Sequence, residues 1–506
     1  MGRSCASWRQ GGQLALNRLD PLSLGRIPYL PGLSPLILCL LLLTCLPARA
    51  AVPGLVGPLQ TLLAMIPQLF GLLVGLLGGI WSLSYWRIRL RYYARGCAIA
   101  VLGAGAAAAL VLWRARTPET LLATASPSAT AAAFTRDWPS FRGDLGGGGT
   151  GTVDAAALRD HPLAEWSYSD NDGSEYMSSP VVQGERLYVG TARFKTVEGD
   201  GSIECLDARD GHLIWRSVTT FAVFASPIVV DGRIYCGEGL HENRNSRLYC
   251  LEAATGKTLY TVPIKSHAEA APTMCGDRLV FSAGDDGFIC IDPKDGHKLW
   301  TNDCGHCDCS AASDGTRIYV GTAYKSDSAV CIDLQAGKTI WKVHQDLPLW
   351  GHPAVKGNRV LFGLGNGTFS SSDAKNPRGA VVSIDSLTGA KIWRTEVGDS
   401  VNTALCLIGD NVIFGSRDGY VYCIAEADGK LRWKSLCGKP LLSSLVVQGD
   451  IVLAAGGDGT ISALDLANGK RRWSSTLAPV PFESSPILAG GRLYIGAGPL
   501  LLCLGK

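Results

Sequence analysis

From about residue 160 to the C-terminus, apolar and polar positions alternate with a period of two in short runs of five to seven residues, each broken by Gly. Alternation of that length is what half-buried strands require, and Gly allows the tight turns between them. One hairpin pairs Ser179-Pro180-Val181-Val182 with Leu187-Tyr188-Val189-Gly190, and a second pairs Ser226-Pro227-Ile228-Val229 with Ile234-Tyr235-Cys236-Gly237. Further copies start near Ala271, Ser310, His352, Thr403, Ser444 and Ser485, which makes eight.

Downstream of these hairpins a Gly is followed four residues later by an aromatic: Gly211/Trp215, Gly256/Tyr260, Gly296/Trp300, Gly337/Trp341, Gly389/Trp393, Gly429/Trp433 and Gly469/Trp473. The aromatics are spaced by 45, 40, 41, 52, 40 and 40 residues. A period near 40 with short strands marks a propeller blade. Four residues before the Gly stand Asp207, Glu252, Asp292, Asp333, Asp385 and Asp465, with Ala425 the exception. Carboxylates there accept turn N–H groups, so they are expected to shape hairpins rather than to catalyse. Eight first hairpins but seven Gly/aromatic turns leave one blade short of a strand. The chain ends at Leu501-Leu502-Cys503-Leu504-Gly505-Lys506, and Leu163-Ala164-Glu165-Trp166 precedes the first hairpin. Pairing the two closes a ring and removes the free edges that invite aggregation. The expectation is an all-β, eight-bladed β-propeller within residues 137–506, closed by the strand around Trp166.

The first 113 residues read differently. Apolar segments lie at about 35–47, 58–83 and 96–113, and the second and third carry no charge. They are long enough for transmembrane helices, although the first also suits a cleavable signal core before Ala48-Arg49-Ala50. Arg87, Arg89, Arg91 and Arg95 stand between the last two segments; held in the cytoplasm, they place the chain beyond Trp113 on the far side of the membrane. Residues 114–136, rich in Ala, Ser, Thr and Pro, are expected to be a flexible linker.

Composition narrows the function. Lys plus Arg is 47 against 44 Asp plus Glu, a net charge of +3, which argues against nucleic acid as the main partner. Gly reaches 61 of 506 residues, well above the usual roughly 7%, as many turns demand. Seventeen Cys occur, and Cys205, Cys250, Cys290, Cys331, Cys423 and Cys503 recur at one strand position, which marks them as small core residues.

Connections are long at 191–202, 238–246, 322–328 and 365–379 but tight at Asp286-Gly287, Asp418-Gly419 and Asp458-Gly459. Length variation on one face of a rigid ring is where binding usually resides. The residues expected to ring the channel mouth there include Glu269, Asp308, Trp350 and Glu483, with His267, His306 and His352 nearby. They form either a ligand or cation rim or simply a solvated one. In Cys304-Gly305-His306-Cys307-Asp308-Cys309, the pair Cys304 and Cys307 is expected to close a local disulfide in an oxidising compartment; free thiols, a redox dithiol and half a zinc site are the alternatives. No metal is assigned there, because no second C-x-x-C completes four sulfur ligands.

Strings such as Ala463-Leu464-Asp465 to Asn468-Gly469-Lys470 with Trp473, and the lead-in Asp137-Trp138-Pro139-Ser140-Phe141-Arg142-Gly143, resemble the PQQ-type propeller repeats of quinoprotein dehydrogenases and of the non-catalytic outer-membrane assembly factor BamB. The resemblance covers about 370 residues and concerns fold more than activity. It implies, for the dehydrogenase branch, pyrroloquinoline quinone with Ca²⁺, a vicinal Cys pair and a catalytic Asp. This chain has no Cys-Cys dipeptide, and its residues match neither the calcium ligands nor the base. The expectation is therefore a cofactor-free binding scaffold, anchored in a bacterial inner membrane by N-terminal helices, its propeller periplasmic and its loop-rich face turned to a protein or envelope polymer. A membrane-bound quinoprotein dehydrogenase is the alternative.

Overall fold

The computed structural model describes residues 162–505, apart from 195–198, 242, 325, 369–370, 439 and 478–481. The apolar N-terminal segments, the linker at 114–136 and the 137–143 lead-in lie outside the described residues, among which no helix is long and apolar enough to cross a membrane.

Eight antiparallel sheets follow one another along the chain: blade 1 (174–219), blade 2 (228–263), blade 3 (273–302), blade 4 (312–344), blade 5 (354–397), blade 6 (406–436), blade 7 (446–476) and blade 8, which joins 487–505 to 163–168. The expected closure is present. Leu163–Tyr168 pairs with Leu500–Gly505, and Trp166 stands opposite Cys503. Val181–Gln183 of blade 1 touches the first strand of blade 2, and the first strands of blades 4 and 5 and of 5 and 6 touch likewise, which places them at the axis.

Period-two alternation explains how the blades pack. In Arg186–Arg193, Leu187 and Val189 turn toward a cluster shared with blades 7 and 8, while Tyr188 between them enters the cluster shared with blade 2. A middle strand so placed is buried on both faces between its half-buried ends, whereas outer strands such as Thr258–Pro263 are largely exposed. The core is thus a ring of inter-blade layers rather than one centre.

The Gly/aromatic repeat proves to be an inter-blade device. Gly211 has φ +75°, and a Cβ there would lie 2.6 Å from the Trp166 ring, because the outer-strand indole of blade 8 covers the turn of blade 1. Indole N–H groups then reach carbonyls of the next blade, Trp166 to Ala208 at 3.3 Å, Trp300 to Leu334 at 2.9 Å and Trp433 to Leu466 at 3.0 Å. The recurrent Cys faces this aromatic across the strand pair: Cys205 opposite Trp215, Cys290 opposite Trp300 and Cys423 opposite Trp433. Turn carboxylates act as expected, with Asp385 Oδ1 accepting the N–H groups of Leu387 and Thr388.

At the axis, residues two before the inner strands link several pairs of neighbouring blades. Ser179 N–H donates to Ser226 Oγ at 3.0 Å, Ser444 N–H to Ser485 Oγ at 2.9 Å and Ser485 N–H to Ser179 Oγ at 2.9 Å. In blade 6 the position belongs to Ala404, one residue beyond the expected Thr403, since it is the Ala404 N–H that reaches Ser444 Oγ.

Candidate functional site

Loops joining second to third strands share a face with the connections between blades. On that face, at blades 2 to 4, ionisable side chains converge. His241 comes from the loop between Arg233–Gly237 and Arg247–Glu252; His267 and Glu269 come from the connection between Thr258–Pro263 and Thr273–Cys275. His306 and Asp308 lie on the connection between Lys298–Asn302 and Ala312–Ser313.

Asp308 is the centre. Its Oδ1 lies 3.0 Å from His267 Nε2, and its Oδ2 lies 2.8 Å from His306 Nε2 and 3.4 Å from His241 Nε2. Each ring is held from behind: His241 Nδ1 is 2.6 Å from Glu269 Oε1, His267 Nδ1 is 3.0 Å from Ser266 Oγ, and His306 Nδ1 is 2.7 Å from Asp285 Oδ1. The backbone fixes the segment that carries His306 and Asp308. Cys307 N–H donates to Gly284 O, and Ala323 N–H donates to His306 O. At Gly284, with φ +54°, a Cβ would lie 2.6 Å from His267 Cε1, so Gly lets the ring sit against the backbone.

Electrostatics follow from this packing. Burial opposes the ionisation of Asp308, yet the hydrogen bonds from His267 and His306 outweigh it and hold the carboxyl well below the usual range. Burial likewise disfavours a charged His241, but Glu269 and then Asp308 push it up to about 9. His306 is raised in the same way, against burial, by Asp308 and Asp285.

The expected rim residues separate into four places. Glu269 and Asp308 belong to this cluster with His267 and His306. Trp350 is one step away, edge-on to Tyr324 at 5.1 Å between centroids, while Tyr324 stands edge-on to His306 at 4.6 Å. His352 is not part of it, because its Nδ1 accepts the Ser310 N–H at 2.7 Å in the inter-blade position described above. Glu483 lies on another sector, where burial and then Glu175 raise its pKa against a smaller opposing pull from Arg417. His241, Asp285 and Tyr324 escaped the sequence reading. The only signal for two of them was the length of their loops, 238–246 and 322–328.

Cys304 and Cys307 are buried free thiols whose Sγ atoms are 3.3 Å apart, against about 2.05 Å in a disulfide. With Cys309 they pack into the layer between blades 3 and 4, so alternate residues of the segment serve the core and the ionisable cluster.

Among the described residues, His241, His267, His306 and Asp308 are a group with metal-ligand chemistry, their ligand atoms all within 4.8 Å of one another. Three imidazoles do not suit Ca²⁺, which takes oxygen donors. The quinone–calcium pair of the dehydrogenase branch therefore does not fit this cluster.

Comparison with known proteins gives the wider setting. The chain is 24% identical over 313 residues to the outer membrane protein assembly factor BamB of Burkholderia pseudomallei, spanning 52% of this chain and 77% of that protein. The BamB of Bordetella pertussis is 23% identical over 316 residues, 53% of this chain and 77% of that one. The crystal structure of BamB from Moraxella catarrhalis superposes with a TM-score of 0.53 at 16% identity, covering 69% of this chain and 98% of that one. A quinohemoprotein alcohol dehydrogenase from Comamonas testosteroni superposes with a TM-score of 0.56 at 14% identity, covering 77% and 82%. At such identities the solved structures speak to the fold alone. The family model described as outer membrane protein assembly factor BamB matches residues 163–239, 199–308 and 377–503, and the chain belongs to that PQQ-repeat propeller family.

Proposed function

We propose that the protein is a non-catalytic binding scaffold, held to a membrane by its apolar N-terminal segments, whose propeller offers its loop-rich face to a protein partner in the bacterial envelope. The observation that carries this reading is the concentration of loop length on one face. The connections at 191–202, 238–246, 322–328 and 365–379 all rise from it, on a ring whose inter-blade layers are closed and whose opposite face bears short turns. Membership of the BamB family supports it, since the relatives are named as assembly factors. The dehydrogenase reading has the shared fold and sequence matches over short stretches of the chain, but the cluster on this face has the wrong donors for calcium.

A photo-crosslinking amino acid placed in the full-length protein tests the proposal. Position Tyr324, on the loop-rich face and 39% exposed, should capture a discrete protein in the cell envelope. Position Leu387, 54% exposed on the opposite face, should not. Capture from Leu387 alone, or oxidation of alcohols by the purified protein supplied with quinone and Ca²⁺, would overturn it.

A further inference from the structure

The imidazole cluster on blades 2 to 4 can be ordered in two ways, around a bound cation or by protonation of its rings. A neutral imidazole carries one N–H and one lone pair. With the N–H on Nδ1, His241 donates outward to Glu269, His267 to Ser266 and His306 to Asp285. Three Nε2 lone pairs then face the Asp308 carboxylate, at 3.4, 3.0 and 2.8 Å. Lone pairs crowded around an anion repel unless a cation stands among them.

In the metal-free alternative the Nε2–H groups of His267 and His306 donate to Asp308, and His306, between Asp308 and Asp285, and His241, between Glu269 and Asp308, are imidazoliums. Both would then press against the ring of His267 and each other: His241 is stacked on His267 with centroids 4.8 Å apart, and His306 lies 5.2 Å from His241 and 5.5 Å from His267. A shared cation satisfies every nitrogen with neutral rings and no such crowding of charge.

We infer that His241 Nε2, His267 Nε2, His306 Nε2 and an oxygen of Asp308 form a four-coordinate site for a divalent first-row transition metal of the Zn²⁺ class. Bond lengths of about 2.0–2.1 Å in a tetrahedron place ligand atoms ~3.3 Å apart; the four here all lie within 4.8 Å of one another, so small side-chain shifts close them on an ion. Imidazole with one carboxylate selects this class over Ca²⁺ and Mg²⁺. Glu269, Ser266 and Asp285 are the outer partners that set the ring tautomers, an arrangement typical of metal-bound His.

Four protein ligands leave no vacant position, so the role is structural. The ligands come from three separate loops: the second-to-third-strand loop of blade 2, the connection from blade 2 to blade 3 and that from blade 3 to blade 4. Bound metal would clasp these loops together at the channel mouth, beside Tyr324. The inference stands on side-chain geometry and does not depend on the scaffold reading.

The experiment uses the full-length chain in detergent, stripped with a chelator and dialysed against Zn²⁺ alone or Co²⁺ alone. One Zn²⁺ per chain is expected, with the intense visible bands of tetrahedral Co²⁺ and a melting temperature several degrees higher with metal than without. Asp308→Asn and His306→Ala should weaken Zn²⁺ binding at least tenfold, and Glu269→Gln about tenfold through the lost outer hydrogen bond. His297→Ala, at an exposed blade turn, should bind as the wild type does. A wild-type chain with no bound Zn²⁺ and no tetrahedral Co²⁺ spectrum overturns the site, and this reading needs no variant to fold. Unchanged affinity in folded His306→Ala overturns it equally.

Discussion

Ser485 donates its backbone N–H to Ser179 Oγ at 2.9 Å, joining blade 8 to blade 1 across 306 residues of chain. The same step continues from Ser179 to Ser226 and arrives from Ser444, so the seam is built like the junctions on either side of it. At the rim it is closed by Trp166, buried between the strand of Cys503 and the Gly211 turn. Inner and outer contacts together make the ring a cooperative unit.

Trp166→Ala should therefore cost about 3–5 kcal/mol, as truncation of a buried indole usually does. Urea unfolding of the variant should show a lower midpoint. A loss below ~1 kcal/mol would mean that the seam does not hold the ring.

Gly211→Ala tests the partner surface. The residue needs positive φ, and the new methyl would meet the Trp166 ring at 2.6 Å. A loss of roughly 1–3 kcal/mol is expected, shared with Trp166→Ala rather than added to it. Full additivity in a double-mutant cycle would refute the contact.

Glu483 gives a pH-dependent prediction. Burial, with Glu175, raises its folded pKa above the ordinary 4.5. A carboxyl raised on folding favours the native state below its unfolded pKa, and that advantage is lost as pH rises through the folded pKa. Glu483→Gln should thus melt higher than wild type at neutral pH and converge with it toward pH 4. Lower stability at neutral pH would show that attraction to Arg417 prevails.

The blade cysteines should be inert in the folded state. Burial pushes the Cys205 thiol up to about 12, the Cys290 and Cys423 thiols up to about 11, and little thiolate is available to react. Alkylation at pH 8 with peptide mapping should leave these three unmodified natively and label them in urea. Rapid native labelling would contradict the core role read from their spacing.

The functional cluster was only half legible. Glu269 and Asp308 were expected at the channel mouth, because their offset from the inner strands is set by blade geometry. His241 follows no such offset, in a loop whose length varies from blade to blade. Glu483 was expected on one rim with them and His352 nearby, although His352 turns to Ser310 and Glu483 belongs to a different sector. Offsets give height along the axis, not azimuth or rotamer.

By itself the sequence determined the strands, the eightfold repeat and the circular closure, since each blade must bury both faces against neighbours and writes that need as local period and spacing. Only the tertiary structure decided which loops meet: His267 and Asp308 are 41 residues apart yet hydrogen-bonded at 3.0 Å. Such convergence depends on how the ring brings aperiodic loops from successive blades to one point, and no local pattern of apolar and polar residues carries that information.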